Sequence, residues 1–274
     1  DIFSAQDGLL ASQFSELQSQ RSGVPDVYFL GVAASAREDV FVRELSFVKN
    51  LFDKQWDSEG RSIALANSVS TLRQLPLATA TNLRNSLVAL GEVMDVEDDL
   101  LVLYLTSHGT PQHQLMVEMP PMRLAQITPD TLASMLAASA VKWKVIIISA
   151  CYAGGYIEAL RDPHTLIITA AAADRTSFGC ENGQDFTWFG KAYFADALAQ
   201  GLGFVEAFGR ASALVAELEA ADGEVRAKGG ASGSGVGYGA LIGDRRFGFS
   251  EEENRHELRA AIHFYPLIEN AIRA

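Results

Sequence analysis

The sequence predicts an α/β fold built on a doubly wound, mainly parallel sheet with right-handed crossovers. Runs of branched apolar residues recur along the chain, and most are followed by a segment with helical apolar spacing. Such runs are what a strand buried on both faces requires, and their alternation with helices implies parallel crossover units. Two of the runs also end on reactive side chains: Leu100 to Ser107 leads into His108-Gly109, and Val145 to Ala150 leads into Cys151. Open α/β sheets bind ligands at the carboxyl ends of their strands, so this sheet is expected to bring an imidazole and a thiol to one edge.

The elements follow in order. Leu9, Leu10, Phe14 and Leu17 mark an amphipathic helix in a Gln-rich flank over residues 1–22. Val27 to Val32 reads as the first strand, and Phe41, Leu45, Val48 and Phe52 give the apolar face of the helix after it. Ser62 to Ala66 is a short second strand, and Leu83, Leu87 and Leu90 mark a helix before the His-bearing strand. Thr128-Pro129 starts another helix, with Thr as cap and Pro in the first turn. The Cys-bearing strand follows, then a buried strand over Thr165 to Ala170. Phe189, Tyr193, Phe194 and Leu198 predict one helix, and Phe204, Phe208, Leu214, Val215 and Leu218 a second. The stretch from Gly229 to Gly239 reads as a mobile loop, Tyr238 to Ile242 as a last strand, and Glu251 to Arg273 as helical with a break at Pro266. The expected organisation is a flank over 1–22, one domain over 23–250 and a helical segment over 251–274 packed on it.

Composition narrows the function. A net charge of -12 argues against nucleic acid or an anionic membrane as partner. No apolar stretch approaches the roughly 20 residues of a membrane span, so a soluble chain without direct membrane contact is expected. The opening Asp1-Ile2-Phe3-Ser4 lacks Met and a signal pattern, which suggests that residues upstream are missing. Two cysteines, Cys151 and Cys180, are too few for a disulfide-built scaffold, and pairing them would consume the thiol at the strand end. No HExxH, CxxC or carboxylate array points to a metal, and the glycine loop holds neither GxGxxG nor a phosphate-loop lysine, so no cofactor is expected.

A thiol protease needs a thiolate, an imidazole to carry protons, and donors for a tetrahedral oxyanion. Cys151 would attack a carbonyl, His108 would favour the thiolate and protonate the leaving amine, and the backbone N–H groups of Gly109 and Cys151 would receive the oxyanion. Gly109 has no Cβ to hold a substrate away. Either residue alone reads first as a buried strand end or a satisfied histidine. The conjunction separates the readings, because both close apolar strands and both lead into small residues, Gly109 and Ala153-Gly154-Gly155.

Three segments, Leu103 to Gly109, Ile147 to Gly155 and Thr169 to Cys180, resemble the legumain (asparaginyl endopeptidase) family, in the clan of caspases, gingipains and separase, and bacterial members most of all. The resemblance runs from about Val27 to Leu218. It implies a caspase-like three-layer α/β/α sandwich with a mainly parallel central sheet, cysteine endopeptidase activity without a cofactor, a peptide or protein substrate, and His108 with Cys151 as catalytic dyad. It also implies pocket roles for Ser177 and Arg37, which read equally as a turn hydroxyl and a solvated arginine. Asp174 and Asp185 would bring carboxylates near the cleft or lie on the solvated surface. His113 borders the cleft or sits on a surface loop.

Tyr152 and Lys191 stand where the resembling family keeps acids, so both are expected to contribute to substrate binding. A pocket that loses carboxylates and gains an amine reads a carboxamide differently, and the P1 preference stays open. The same acyl-enzyme supports transamidation or ligation, and an inactive caspase-like binding module is the third reading. Oligomeric state stays open. The resemblance suggests a bacterial envelope or periplasmic setting, as the soluble part of a membrane-attached protein, with the cytoplasm as alternative. The Gly229 to Gly239 loop or the segment 251–274 is expected to cover or shape the cleft.

Overall fold

A computed structural model describes residues 2–228, 239–242 and 245–247. Its sheet has the order β2-β1-β3-β4-β5-β6-β7. The strands are β1 Val27–Ala33, β2 Ser62–Ala66, β3 Leu100–Thr106, β4 Trp143–Ser149, β5 Thr165–Thr169, β6 Gly239–Ile242 and β7 Arg245–Phe247. The first five pair in parallel, and β6 and β7 extend the sheet antiparallel. Chain order reverses between β1 and β3, which opens a crevice at their carboxyl ends.

Side-chain alternation along β3 and β4 divides the core into two layers. Val102, Tyr104, Val145 and Ile147 face α2 (Val40–Gln55) and α7 (Phe204–Lys228). Leu101, Leu103, Leu105, Ile146 and Ile148 face the other way, toward α3 (Ala80–Val93) and α4 (Pro129–Ser139). The five-stranded parallel sheet, covered on both faces, is a caspase-like α/β/α sandwich. Every residue of β1 and β3 is buried, as the continuous apolar runs require.

The helix starts follow local chemistry. Thr79 and Thr128 cap α3 and α4, their side-chain oxygens accepting from Asn82 N and Thr131 N at 3.1 and 3.2 Å. The flank forms α1 (Ile2–Glu16), which docks on the open edge of the sheet. There the Gln13 carboxamide pairs with both Ala64 N and Ala64 O at 3.0 Å, completing the ladder that β2 leaves unpaired.

Three features depart from the sequence reading. The helix expected through Phe189 and Leu198 is a short turn α6 (Trp188–Gly190), a π-helical turn (Lys191–Ala195) and a 3-10 turn (Leu198–Gln200). The wider π turn lets Phe189, Tyr193 and Phe194 all enter the core, and Gly201 in the left-handed region ends the run. Second, the turns after Cys151, a 3-10 turn (Ala153–Tyr156) and α5 (Ile157–Leu160), and the strand β7 went unread. Third, Leu218, expected on the apolar face of α7, is exposed. The expected loop over 229–238 and the helical segment over 251–274 lie outside the described residues. Among the described residues no helix is long and apolar enough to cross a membrane.

α3 and α4 cross at Gly91, where a Cβ would stand 2.2 Å from the Ser139 carbonyl oxygen. Alanine favours a helix over glycine by ~1 kcal/mol, whereas overpacking against an immovable backbone atom costs about 1–3 kcal/mol. The second effect wins, so Gly91→Ala should lower the urea midpoint without changing the denaturant slope.

Candidate active site

β3 and β4 are neighbours, and their last paired rung is Thr106↔Ser149. His108 and Cys151 each lie two residues beyond it. Strand neighbours are about 4.8 Å apart, so equal offsets from one rung set the two residues side by side. The parity of the strands also turns both toward the α2 face, the side of Tyr104 and Ile147. Ser107 N donates to Ser149 O at 3.2 Å, which carries the pairing past the strand ends. The Gly109 main chain lies directly against Cys151, where a Cβ on residue 109 would sit 1.9 Å from the Cys151 carbonyl oxygen. Only glycine fits there.

The histidine is held on three sides. Its carbonyl accepts from Met116 N at 2.9 Å, its ring meets Phe41 edge-on at 5.1 Å between centroids, and Nε2 lies 2.7 Å from Glu38 Oε2. Phe41 is in the first turn of α2, and Glu38 immediately precedes Asp39, its N-cap residue. The side chain is 31% exposed, so the imidazole reaches solvent.

Cys151 is half-buried, and both cysteines are free thiols. Ser177 N donates to Cys151 Sγ at 3.2 Å, and Sγ lies 3.6 Å from Ser177 O. Ser177 therefore reaches the sulfur through its main chain. Tyr152 takes a left-handed conformation with φ 57°, donates from N to Arg175 O at 2.7 Å and directs its carbonyl to His113 Nδ1 at 3.2 Å. His113 thus braces the turn after the cysteine. Tyr156 Oη accepts from Leu115 N at 3.0 Å and donates to Ile127 O at 2.5 Å, tying the segment after Cys151 to the loop after His108. Burial pushes the Cys180 thiol up to about 12, so it is the less reactive cysteine.

The remaining predicted positions spread outward. Arg37 is exposed and paired with Glu118 at 2.7 Å, and Glu118 Oε2 also lies 3.3 Å from Ser35 Oγ. Asp174 is exposed and 3.7 Å from Arg175. Asp185 is exposed beside Arg43 at 3.5 Å. Lys191 opens the π turn, is 59% exposed and pairs with Asp196 just after it. Among the described residues no group of three or more His, Cys, Asp and Glu side chains is disposed to hold a metal ion.

Beneath the site lies Glu44, fully buried on α2 and unread in the sequence. Tyr104 Oη donates to its Oε1, with Thr106 Oγ1 at 3.4 Å from the same oxygen. Thr187 donates to Oε2 from both N and Oγ1, at 2.7 and 2.9 Å. Ser149 Oγ lies 3.3 Å from Thr187 Oγ1, so the network touches both strands that carry the reactive residues. Burial raises the Glu44 carboxyl to about 7, against the pull of its hydrogen bonds.

Residues 82–203 match the model of the Peptidase C13 family, and over that segment the chain is similar to legumain-type cysteine peptidases. The matched segment contains His108, Cys151 and Ser177. No curated protein matches the chain.

Because folding makes the Glu44 carboxyl hold its proton more tightly, its contribution to stability is complete below its ordinary value of 4.5 and is lost as pH rises through about 7. A rise of that size corresponds to about 3 kcal/mol. The stability of the wild type relative to Glu44→Gln should fall by about that much between acid pH and pH ~8, read by urea unfolding. A pH-independent difference would contradict the assignment.

Proposed function

We propose that this legumain-like cysteine peptidase is an endopeptidase with Cys151 as nucleophile and His108 as proton carrier. The observation that supports the reading is their equal offset from the Thr106↔Ser149 rung, as expected of an imidazole and a thiol that meet on one face. Residues 23–250 are assigned to the peptidase domain, with the flank over 1–22 docked on its β2 edge.

The chemistry runs in two halves. The Cys151 thiol gives its proton to His108, and the thiolate attacks the scissile carbonyl carbon as the C=O electron pair moves onto oxygen. The backbone N–H groups of Gly109 and Cys151 are assigned to that oxyanion, a role favoured by the close packing of these main chains. Collapse breaks the C–N bond, His108 protonates the leaving amine, and a thioester remains. Water then attacks the thioester, passing a proton through His108 to sulfur, and the carboxylic acid leaves.

The substrate is a peptide or protein. Arg37, Ser177, Tyr152 and Asp174 are the residues assigned to its recognition, with Glu118 joined to Arg37 through their ion pair. A cleft that presents this pair meets a substrate side chain with both a cation and an anion. Lys191, committed to Asp196, is a weaker candidate for that surface.

Cys151→Ala should abolish turnover of a fluorogenic peptide library and labelling by a peptidyl acyloxymethyl ketone. His108→Ala should lower kcat by about 10²–10⁴-fold. Cys180→Ala should leave both readouts near wild type, since its partly buried surroundings hold that thiol protonated. Full labelling of Cys151→Ala would overturn the assignment.

A further inference from the structure

We propose that Glu38 is the positioning residue of this site, orienting His108 through Nε2 and leaving Nδ1 as the nitrogen that exchanges a proton with Cys151. The inference rests on the dyad reading above and adds a third member to it, contributed by α2 and not by the sheet.

The argument starts from the two ring nitrogens. A neutral imidazole carries one N–H donor and one lone-pair acceptor, and an ionised carboxylate only accepts. Glu38 Oε2 lies 2.7 Å from His108 Nε2, a charge-assisted distance, so the proton of the neutral ring belongs on Nε2. The lone pair is then on Nδ1, the remaining site for the thiol proton. When Cys151 gives up that proton, Nδ1 gains it, Nε2–H stays in place, and the imidazolium lies between thiolate and carboxylate. No other proton moves. Without Glu38 the ring is free to place its proton on Nδ1, the tautomer that cannot accept from sulfur.

The surroundings keep this carboxylate for the histidine. The neighbouring Arg37 is taken up by Glu118 at 2.7 Å, and Arg43 donates to Gln184 O at 2.6 Å. Phe41, three residues after Glu38, packs its ring edge-on to the imidazole, so one turn of chain supplies both the hydrogen bond and the wall. Glu44, six residues on, fixes that helix to β3 and to Thr187. Glu38 keeps 21% of its side chain exposed, and Glu38→Gln retains its size and its acceptor oxygen, so position 38 can be varied in a folded chain.

The test uses the full chain, a fluorogenic peptide substrate and nitrogen-15 NMR of labelled histidine, with the His108 signals identified by His108→Ala. Wild type should show the Nε2–H tautomer, and Glu38→Ala a mixture. Glu38→Ala should lower kcat by about 10²-fold with KM within a few-fold of wild type. Glu38→Gln, whose carboxamide oxygen still accepts from Nε2–H, should keep the tautomer and recover about tenfold of that loss. Wild-type kcat and an unchanged tautomer in Glu38→Ala would overturn the proposal while an inactive Cys151→Ala and a strongly impaired His108→Ala upheld the dyad. Equal losses in Glu38→Ala and Glu38→Gln would mark a merely structural role and also overturn it. An active Cys151→Ala would remove the dyad and Glu38 with it.

Discussion

The site depends on the register between β3 and β4. Seven rungs, from Leu100↔Trp143 to Thr106↔Ser149, fix which residues leave the sheet together. Side chains alternate faces along a strand, so a slip of one residue would turn His108 and Cys151 to opposite sides of the sheet. What prevents the slip is apolar. The same alternation places Leu101, Leu103 and Leu105 beside Ile146 and Ile148 on one face, and Val102 and Tyr104 beside Val145 and Ile147 on the other. A slipped pair would strand both sets in the wrong layer, so core packing and the alignment of the reactive atoms are specified by the same residues.

Register alone brings two strand ends together, and α2 makes a site of them. Glu44 is the polar joint. It sits in a layer of aromatic and branched side chains, where an unpaired carboxyl would be costly, and four donor groups from β3 and Thr187 converge on it. The helix is thereby fixed in rotation as well as position, which apolar contacts alone specify loosely. Phe41 and Glu38 then arrive at the imidazole as a consequence of where Glu44 is tied.

This division explains what was legible in the chain. Runs such as Leu100 to Thr106 announce buried parallel strands within a few residues, and the reactive residues follow them directly. Thr128-Pro129 announces its helix just as locally. Glu38 and Glu44 act across 70 and 143 residues of sequence, distances at which no spacing rule operates. Glu44 nevertheless left a trace, since it falls on the same helical face as Phe41, Leu45 and Val48, where a carboxylate has no reason to be unless it is buried and partnered. Glu38 stood just past the carboxyl end of β1, at the crevice the strand order creates. The 188–200 segment departs from its expected helix for a different reason: its aromatic spacing fits a regular helix, and the π turn goes with the mutual packing of three buried rings.

The two ends of the sheet show how buried polar groups come to differ in kind. At the amino end, Asp99 accepts from Asp26 N and Asp95 N at 2.7 and 2.8 Å, and Asp26 in turn holds Arg21 at 2.6 Å with Arg61 at 3.4 Å. Both oxygens of each carboxylate are met from within, so neither carboxylate is left to a ligand. At the carboxyl end one set of contacts runs from Glu44 through Thr187 to Ser149 and another from Glu38 to His108, while the half-buried Cys151 thiol meets the Ser177 main chain. A network that closes holds elements in place. One that runs out to a partly exposed imidazole holds elements in place and leaves polar atoms open to solvent, and in this fold it forms beside the point where the strand order reverses.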